Sequence, residues 1–155
     1  MFRFLIPLLL FACAFAPAQA TAFQWLDEAG TMHHLDEYSG KPVLLHLWAS
    51  WCPPCRAEMP ELSAWLKKHP EVTLLPVSVD NEFADAKNFL AGQHIVMPAL
   101  LTDQSQAMSM GARGLPTTII ISANGKIKQG FIGARNWLDS DFTSKVLREF
   151  TPADK

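Results

Sequence analysis

Three features of this chain predict an α/β fold with one mixed central β-sheet, helices on both faces and an N-terminal β-hairpin. The run Val43-Leu44-Leu45-His46-Leu47-Trp48 is apolar at all but one position, as suits a strand covered on both sides. Segments of helical spacing follow it and follow the next apolar run, the alternation expected of crossover-connected strands. Late in the chain, the β-branched run Thr117–Ser122 is followed by Asn124-Gly125, a tight hairpin signal, so the sheet also contains antiparallel neighbours.

Phe23-Gln24-Trp25-Leu26, the turn-prone Asp27-Glu28-Ala29-Gly30 and Thr31–Leu35 read as the hairpin, and Asp36 to Gly40 as a short helical turn. After the central strand, Met59, Leu62, Trp65 and Leu66 mark one face of a helix from Pro54 to about His69. Pro60, which lacks an N–H and crowds the preceding turn, is expected to kink it. Val72–Val79 reads as a second buried strand made partly irregular by Pro76. A helix carrying Phe83, Ala86 and Leu90 ends near Gly92, and a loop from His94 to Asp103 precedes a short helix near Ser105–Met110. Gly111 to Pro116 is a breaker-rich loop, Ile127–Ile132 returns as the partner of the Thr117–Ser122 strand, and a last helix spans about Asn136 to Phe150. There is no internal repeat or low-complexity tract after residue 22, and 155 residues suit a single domain.

Residues 1–20 read as a secretory signal peptide, and residues 21–155 as the domain. Arg3 is followed by an apolar stretch to about Phe15, short of the roughly 20 residues a membrane span needs, and Ala18-Gln19-Ala20 supplies a small-residue cleavage site. Two alternatives stay open: lipidation at Cys13, within Leu10-Phe11-Ala12-Cys13, or retention of the leader as an anchor. Without Arg3, 12 basic residues face 15 acidic ones, a net charge of −3, which gives no reason to expect nucleic acid or an anionic membrane as partner. Hydrophobic residues make up 49% of the chain, enough for a core without staples.

Trp51-Cys52-Pro53-Pro54-Cys55-Arg56 carries the chemistry. Two thiols three residues apart on the first turn of a helix share a face, lie within disulfide reach, and sit where the helix N-terminus favours a thiolate. A disulfide closing so short a loop constrains the unfolded chain little, which favours redox work over stabilisation. Position assigns the roles: Cys52, partly exposed at the helix start, attacks; Cys55, one turn inside, resolves the mixed disulfide. Pro53 and Pro54 have no N–H to offer the sulfur, so the expectation is a moderately lowered Cys52 pKa and a reducing couple. Half of a zinc site is the competing reading, but there is no second cysteine pair, and His33, His34, His46, His69 and His94 show no ligand spacing. No metal or cofactor is expected. Met97, Met108 and Met110 are read as packing rather than as a copper site.

Leu47-Trp48-Ala49-Ser50-Trp51-Cys52-Pro53-Pro54-Cys55 resembles the active-site pattern of the thioredoxin superfamily. The Pro-Pro pair, the leader and Gly111-Ala112-Arg113-Gly114-Leu115-Pro116-Thr117-Thr118, with Asn124-Gly125-Lys126 beyond, are similar to the TlpA/ResA-like exported thiol-disulfide oxidoreductases. The resemblance covers residues 23–150. It implies a thioredoxin-like fold, a periplasmic protein-disulfide reductant with Cys52 and Cys55 as the redox-active pair, and a cis-proline at Pro116 facing them. Leu115 would then be free to pair with an extended substrate, and Trp51 would offer clients an apolar contact. Implied partners are client proteins with oxidised cysteines, among them apocytochrome c and copper-site proteins of oxidases, and a membrane thiol-electron transporter as donor.

His46 stands where thioredoxins carry Asp, so it is either a proton relay to Cys55 or a hydrogen-bonded core histidine. Trp48 is read as core. ResA-like members place a Glu just after the second strand; Asn81 is the match here, and Asp80 or Glu82 is read as a cap of the next helix. Glu58 and Glu61 are read as solvated, and Arg56 as either a modest support for the thiolate or a surface residue. A thiol peroxidase of the same fold and an extracytoplasmic copper metallochaperone are the rival functions, with a general oxidant or isomerase a third; peroxide turnover, metal content and redox potential discriminate among them.

Overall fold

The computed structural model describes residues 23–150; the leader read at residues 1–20, with Cys13, lies outside them. Seven strands and four helices follow in order: β1 Gln24–Leu26, β2 Met32–His34, β3 Val43–Trp48, α1 Pro53–Leu66, β4 Leu74–Ser78, α2 Phe83–Gly92, β5 Leu100–Leu101, α3 Gln104–Ser109, β6 Thr117–Ile121, β7 Ile127–Ile132 and α4 Ser140–Leu147. They form one sheet in the order β2-β1-β5-β4-β3-β6-β7. β3, β4 and β5 run parallel, while β6, β7 and the N-terminal hairpin are antiparallel to their neighbours. This is the mixed sheet expected, with the hairpin built into its edge.

All six residues of β3 are buried, and their alternation sorts them onto two faces. Leu44 and Trp48 join α1, α2 and α4 through Met59, Leu62, Phe89, Trp137 and Val146. Val43, Leu45 and Leu47 join the hairpin and α3 through Phe23, Trp25 and Ala107. Helices therefore cover both faces. Trp48, read as core, is fully buried, and its indole donates to the Pro76 carbonyl at 3.3 Å. Gly40 and Gly125 hold φ of +89° and +76° at the two turns that bracket this end of the sheet, where a side chain would be strained.

Four local expectations are corrected. Pro76 does not disturb β4: it sits mid-strand opposite His46, buried. The Leu44 N–H donates to Thr73 and the Val79 N–H to Trp48, so odd-numbered residues of β4 face β3, and Pro76 turns its nitrogen to the other side. There β5 pairs only with Val77 and Ser78, so no ladder bond is lost at residue 76. The expected loop from His94 to Asp103 contains β5, two residues long and inserted between β4 and β1. The dithiol helix, expected from Pro54 to about His69, spans Pro53–Leu66, with Pro60 inside it. The last helix begins at Ser140, because Asp139 accepts from the Asp141 and Phe142 N–H groups as its cap and leaves residues 133–139 as a loop. Among the described residues no helix is long and apolar enough to cross a membrane.

Candidate active site

β3 ends at Trp48, and three residues later the chain turns into α1 with Cys52 as its N-cap. Cys52 and Cys55 form a disulfide, with their Cα atoms 5.3 Å apart. The first two helical residues are prolines, so the first N–H able to reach the Cys52 sulfur is that of Cys55, which donates to it at 3.3 Å. Cys55 is fully buried, as expected. Cys52 is only 4% exposed, less than the partial exposure its position suggested.

A cleft of about 570 Å³ opens over Cys52. Trp51, Pro53 and Pro54 line one side, and Leu115, Gly114 and Met108 are among the residues lining the rest. The Leu115–Pro116 bond is cis, with Leu115 half-buried and Pro116 buried. The structure thus brings Trp51, Cys52 and Leu115 to one cleft. Trp51 is 66% exposed and also lines a second cleft, of about 590 Å³, toward the hairpin and Asp103. Met108 is half-exposed in the first cleft, whereas Met97 and Met110 pack against the two core clusters. Among the described residues no group of three or more His, Cys, Asp or Glu side chains is placed to hold a metal.

His46 lies on the β3 face that α1 covers. It is fully buried, its Nδ1 is 3.0 Å from Thr118 Oγ1, and Nε2 has no hydrogen-bond partner among the described residues. Burial pushes its pKa down to about 4, so the ring is neutral across the physiological range.

Two expectations about acids are overturned. Glu58 is not solvated but 3% exposed, one turn beyond Cys55 on the buried stripe of α1. Its Oε1 accepts from Trp137 Nε1 at 2.6 Å, and Oε2 has no hydrogen-bond partner among the described residues. Burial pushes its pKa up to about 7, opposed by the Trp137 indole and by the main chain and guanidinium of Arg135. One signal for Glu58 was in the sequence: it lies three residues after Cys55 and four before Leu62, on the inward face. Glu61 is half-exposed.

Asp80 does not cap α2, whose N-cap Glu82 makes no side-chain cap bond. Its carboxyl group accepts from the Ser50 N–H at 3.0 and 3.1 Å, from Ser50 Oγ at 2.9 Å and from Ser78 Oγ at 2.6 Å. Asp80 thus ties the end of β4 to the loop just before the dithiol. Arg56, exposed, donates to the Ser50 carbonyl at 3.2 Å and stacks over Phe89 at 5.1 Å.

Residues 17–129 match the model of the AhpC/TSA family. The thiol-disulfide oxidoreductase ResA of Geobacillus thermodenitrificans is 32% identical over 117 residues, 74% of this chain and 67% of the relative. The sporulation thiol-disulfide oxidoreductase A of Bacillus subtilis is 27% identical over 118 residues, 72% of this chain and 67% of the relative. In structure, a Chlorobium tepidum protein assigned as thiol:disulfide interchange protein DsbE superposes with a TM-score of 0.73 at 26% identity, covering 85% of this chain and 95% of its own.

Proposed function

The chain belongs to the AhpC/TSA family of the thioredoxin superfamily and is a thiol-disulfide oxidoreductase of ResA/DsbE type; on that premise we propose that it works in the periplasm as a dithiol reductant of client proteins. The observation that supports this most is the position of the Cys52–Cys55 pair, at a helix N-terminus below an apolar cleft that also holds Leu115.

In the proposed cycle the reduced pair meets a client disulfide. The Cys52 thiolate attacks one client sulfur, the client S–S bond breaks, and the released client thiolate takes a proton from water. Cys55 then gives its proton to Glu58, and its thiolate attacks Cys52. The bond between Cys52 and the client breaks, the second client thiolate leaves, and the Cys52–Cys55 disulfide remains. Two electrons pass to the client and are restored by a thiol donor, for which a membrane thiol-electron transporter is the chemically fitting class. Glu58 suits the proton step because it is buried on the same helix face as Cys55 and titrates near neutrality. His46, neutral and with a free Nε2, is the second group beneath the helix able to take part.

The direction of transfer is read from the helix start. With Pro53 and Pro54 silent as donors, little stabilises the Cys52 thiolate beyond the Cys55 N–H, so the reduced form is a ready electron source rather than a thermodynamic sink. Trp51 and Leu115 are the proposed client contacts, one by its exposed ring and the other by its main chain beside the cis bond. Clients in cytochrome c maturation, or in related extracytoplasmic thiol reduction, are the proposed class. Replacing Cys55 with Ala tests the reading: Cys52 is then stranded in mixed disulfides with its clients, which can be isolated and identified. Recovery of no such adducts from an oxidising compartment contradicts it.

A further inference from the structure

We propose that Trp137 and Arg135, in the loop ahead of α4, are positioning residues for proton transfer at Glu58, the indole holding Oε1 and so assigning the mobile proton to Oε2. The inference rests on the reading of Glu58 as the proton carrier for Cys55.

The Trp137 N–H can only donate, so Oε1 must present a lone pair whether Glu58 is neutral or ionised. The carbonyl oxygen of a carboxylic acid accepts better than its hydroxyl oxygen, so a neutral Glu58 favours its hydrogen on Oε2, the oxygen that is buried and has no hydrogen-bond partner among the described residues. The donor is held rigidly. Trp137 is 1% exposed and packs at 4.9 Å against Trp65 and at 5.1 Å against Phe142. The first contact holds the loop to α1 and the second to α4, so this loop cannot drift from Glu58 without opening the core.

A buried anion with no compensation would be driven to stay neutral and would be useless as a base. Arg135 compensates through its main-chain N–H and, less strongly, through the charge of its guanidinium. Its Nη2 donates to the Ile132 carbonyl at 2.7 Å, its guanidinium lies over Phe131 at 5.5 Å, and its Nε is buried with no hydrogen-bond partner among the described residues. The other titratable groups that bear on Glu58 are few. Glu61 on α1 opposes its ionisation, the two cysteines share its helix face, and neutral His46 is the one titratable residue of β3 beneath. The inward residues of α4 (Phe142, Thr143, Val146) and of α2 (Ala86, Phe89, Leu90) do not titrate.

The test follows release of thionitrobenzoate from its mixed disulfide with Cys52, as a function of pH, in wild type, Trp137→Phe, Arg135→Gln and Glu58→Gln. Trp137→Phe should move the midpoint of the profile to higher pH by about half a unit, slowing release about threefold below the midpoint. Arg135→Gln should move it the same way. Neither should move it in a Glu58→Gln background. An unmoved midpoint in Trp137→Phe, or a shift that persists without Glu58, overturns the proposal while leaving Glu58 as carrier. A wild-type profile in Glu58→Gln overturns the carrier reading itself. Independently of any variant's folding, the indole proton resonance of Trp137 in the wild-type protein should titrate with the midpoint of the rate profile; a resonance that stays flat across that range also overturns the proposal.

Discussion

The Trp137 indole donates to Glu58 across 79 residues of sequence, and the bond ties the loop before α4 to the helix that carries both cysteines. It places an ionisable group inside the core on the helix that carries the dithiol. That arrangement has a stability cost, and the cost depends on pH.

Burial pushes the Glu58 pKa up to about 7 from an ordinary 4.5, so between these values the folded state binds a proton that the unfolded state has lost. Stability should therefore fall as pH rises from 4.5 to 7 and level off above, with a drop of up to about 3 kcal/mol from this group. Glu58→Gln keeps an acceptor for Trp137 and should abolish this dependence, measured by denaturant unfolding at pH 5 and pH 8. An unchanged slope in the variant would show that Glu58 is not the titrating group.

His33 changes stability in the same direction with pH, but from charge pairing and not from burial. It lies 2.9 Å from Glu37 and 3.1 Å from Asp27, and these two carboxylates raise its pKa, while His33 and nearby backbone N–H groups lower both of theirs. The His33 contribution is present below 6.5 and is lost as pH rises through its raised folded value. The acids' contribution is present above their ordinary values of 3.8 and 4.5 and is lost as pH falls through their lowered ones. His33→Gln should thus lower Tm at pH 6 and leave it nearly unchanged at pH 9. Equal losses at both pH values would mean that His33 acts only through packing on Trp25.

Asp80→Asn tests the brace before the dithiol. Asn offers one acceptor and one donor where Ser50 and Ser78 present only donors in the present geometry, so one buried group is left facing another donor. The expected loss is about 1–3 kcal/mol, together with non-additivity against Ser50→Ala in a double-mutant cycle. Additive effects would deny the coupling.

Trp51→Ala separates client binding from thiol chemistry. The exposed ring borders both clefts, so its loss should reduce kcat/KM for a protein disulfide about tenfold while leaving exchange with a small aromatic disulfide within about twofold. Equal losses on both substrates would place Trp51 in the chemistry.

Much of this architecture is legible in the chain because its signals are local. The continuous apolar run 43–48 marks β3, Asn124-Gly125 marks the β6–β7 turn, and Trp-Cys-Pro-Pro-Cys followed by an amphipathic pattern places the dithiol at a helix start. The features missed depend on distant partners. β5 is two residues long and is a strand only because β4 and β1 flank it. The tolerance of Pro76 depends on which neighbour its nitrogen faces. Glu58 looks like a surface acid until Trp137 closes over it, and Asp80 looks like a helix cap until Ser50 comes within reach.

The central claim is tested most directly by equilibrating the purified protein with defined thiol-disulfide buffers and quantifying reduced Cys52 and Cys55 by alkylation shift. The account predicts a single two-electron transition at a reducing potential, between about −200 and −270 mV, the span from glutaredoxins to thioredoxin. A transition near about −120 mV, where a strong oxidant such as DsbA lies, or a pair that never changes state, would contradict it.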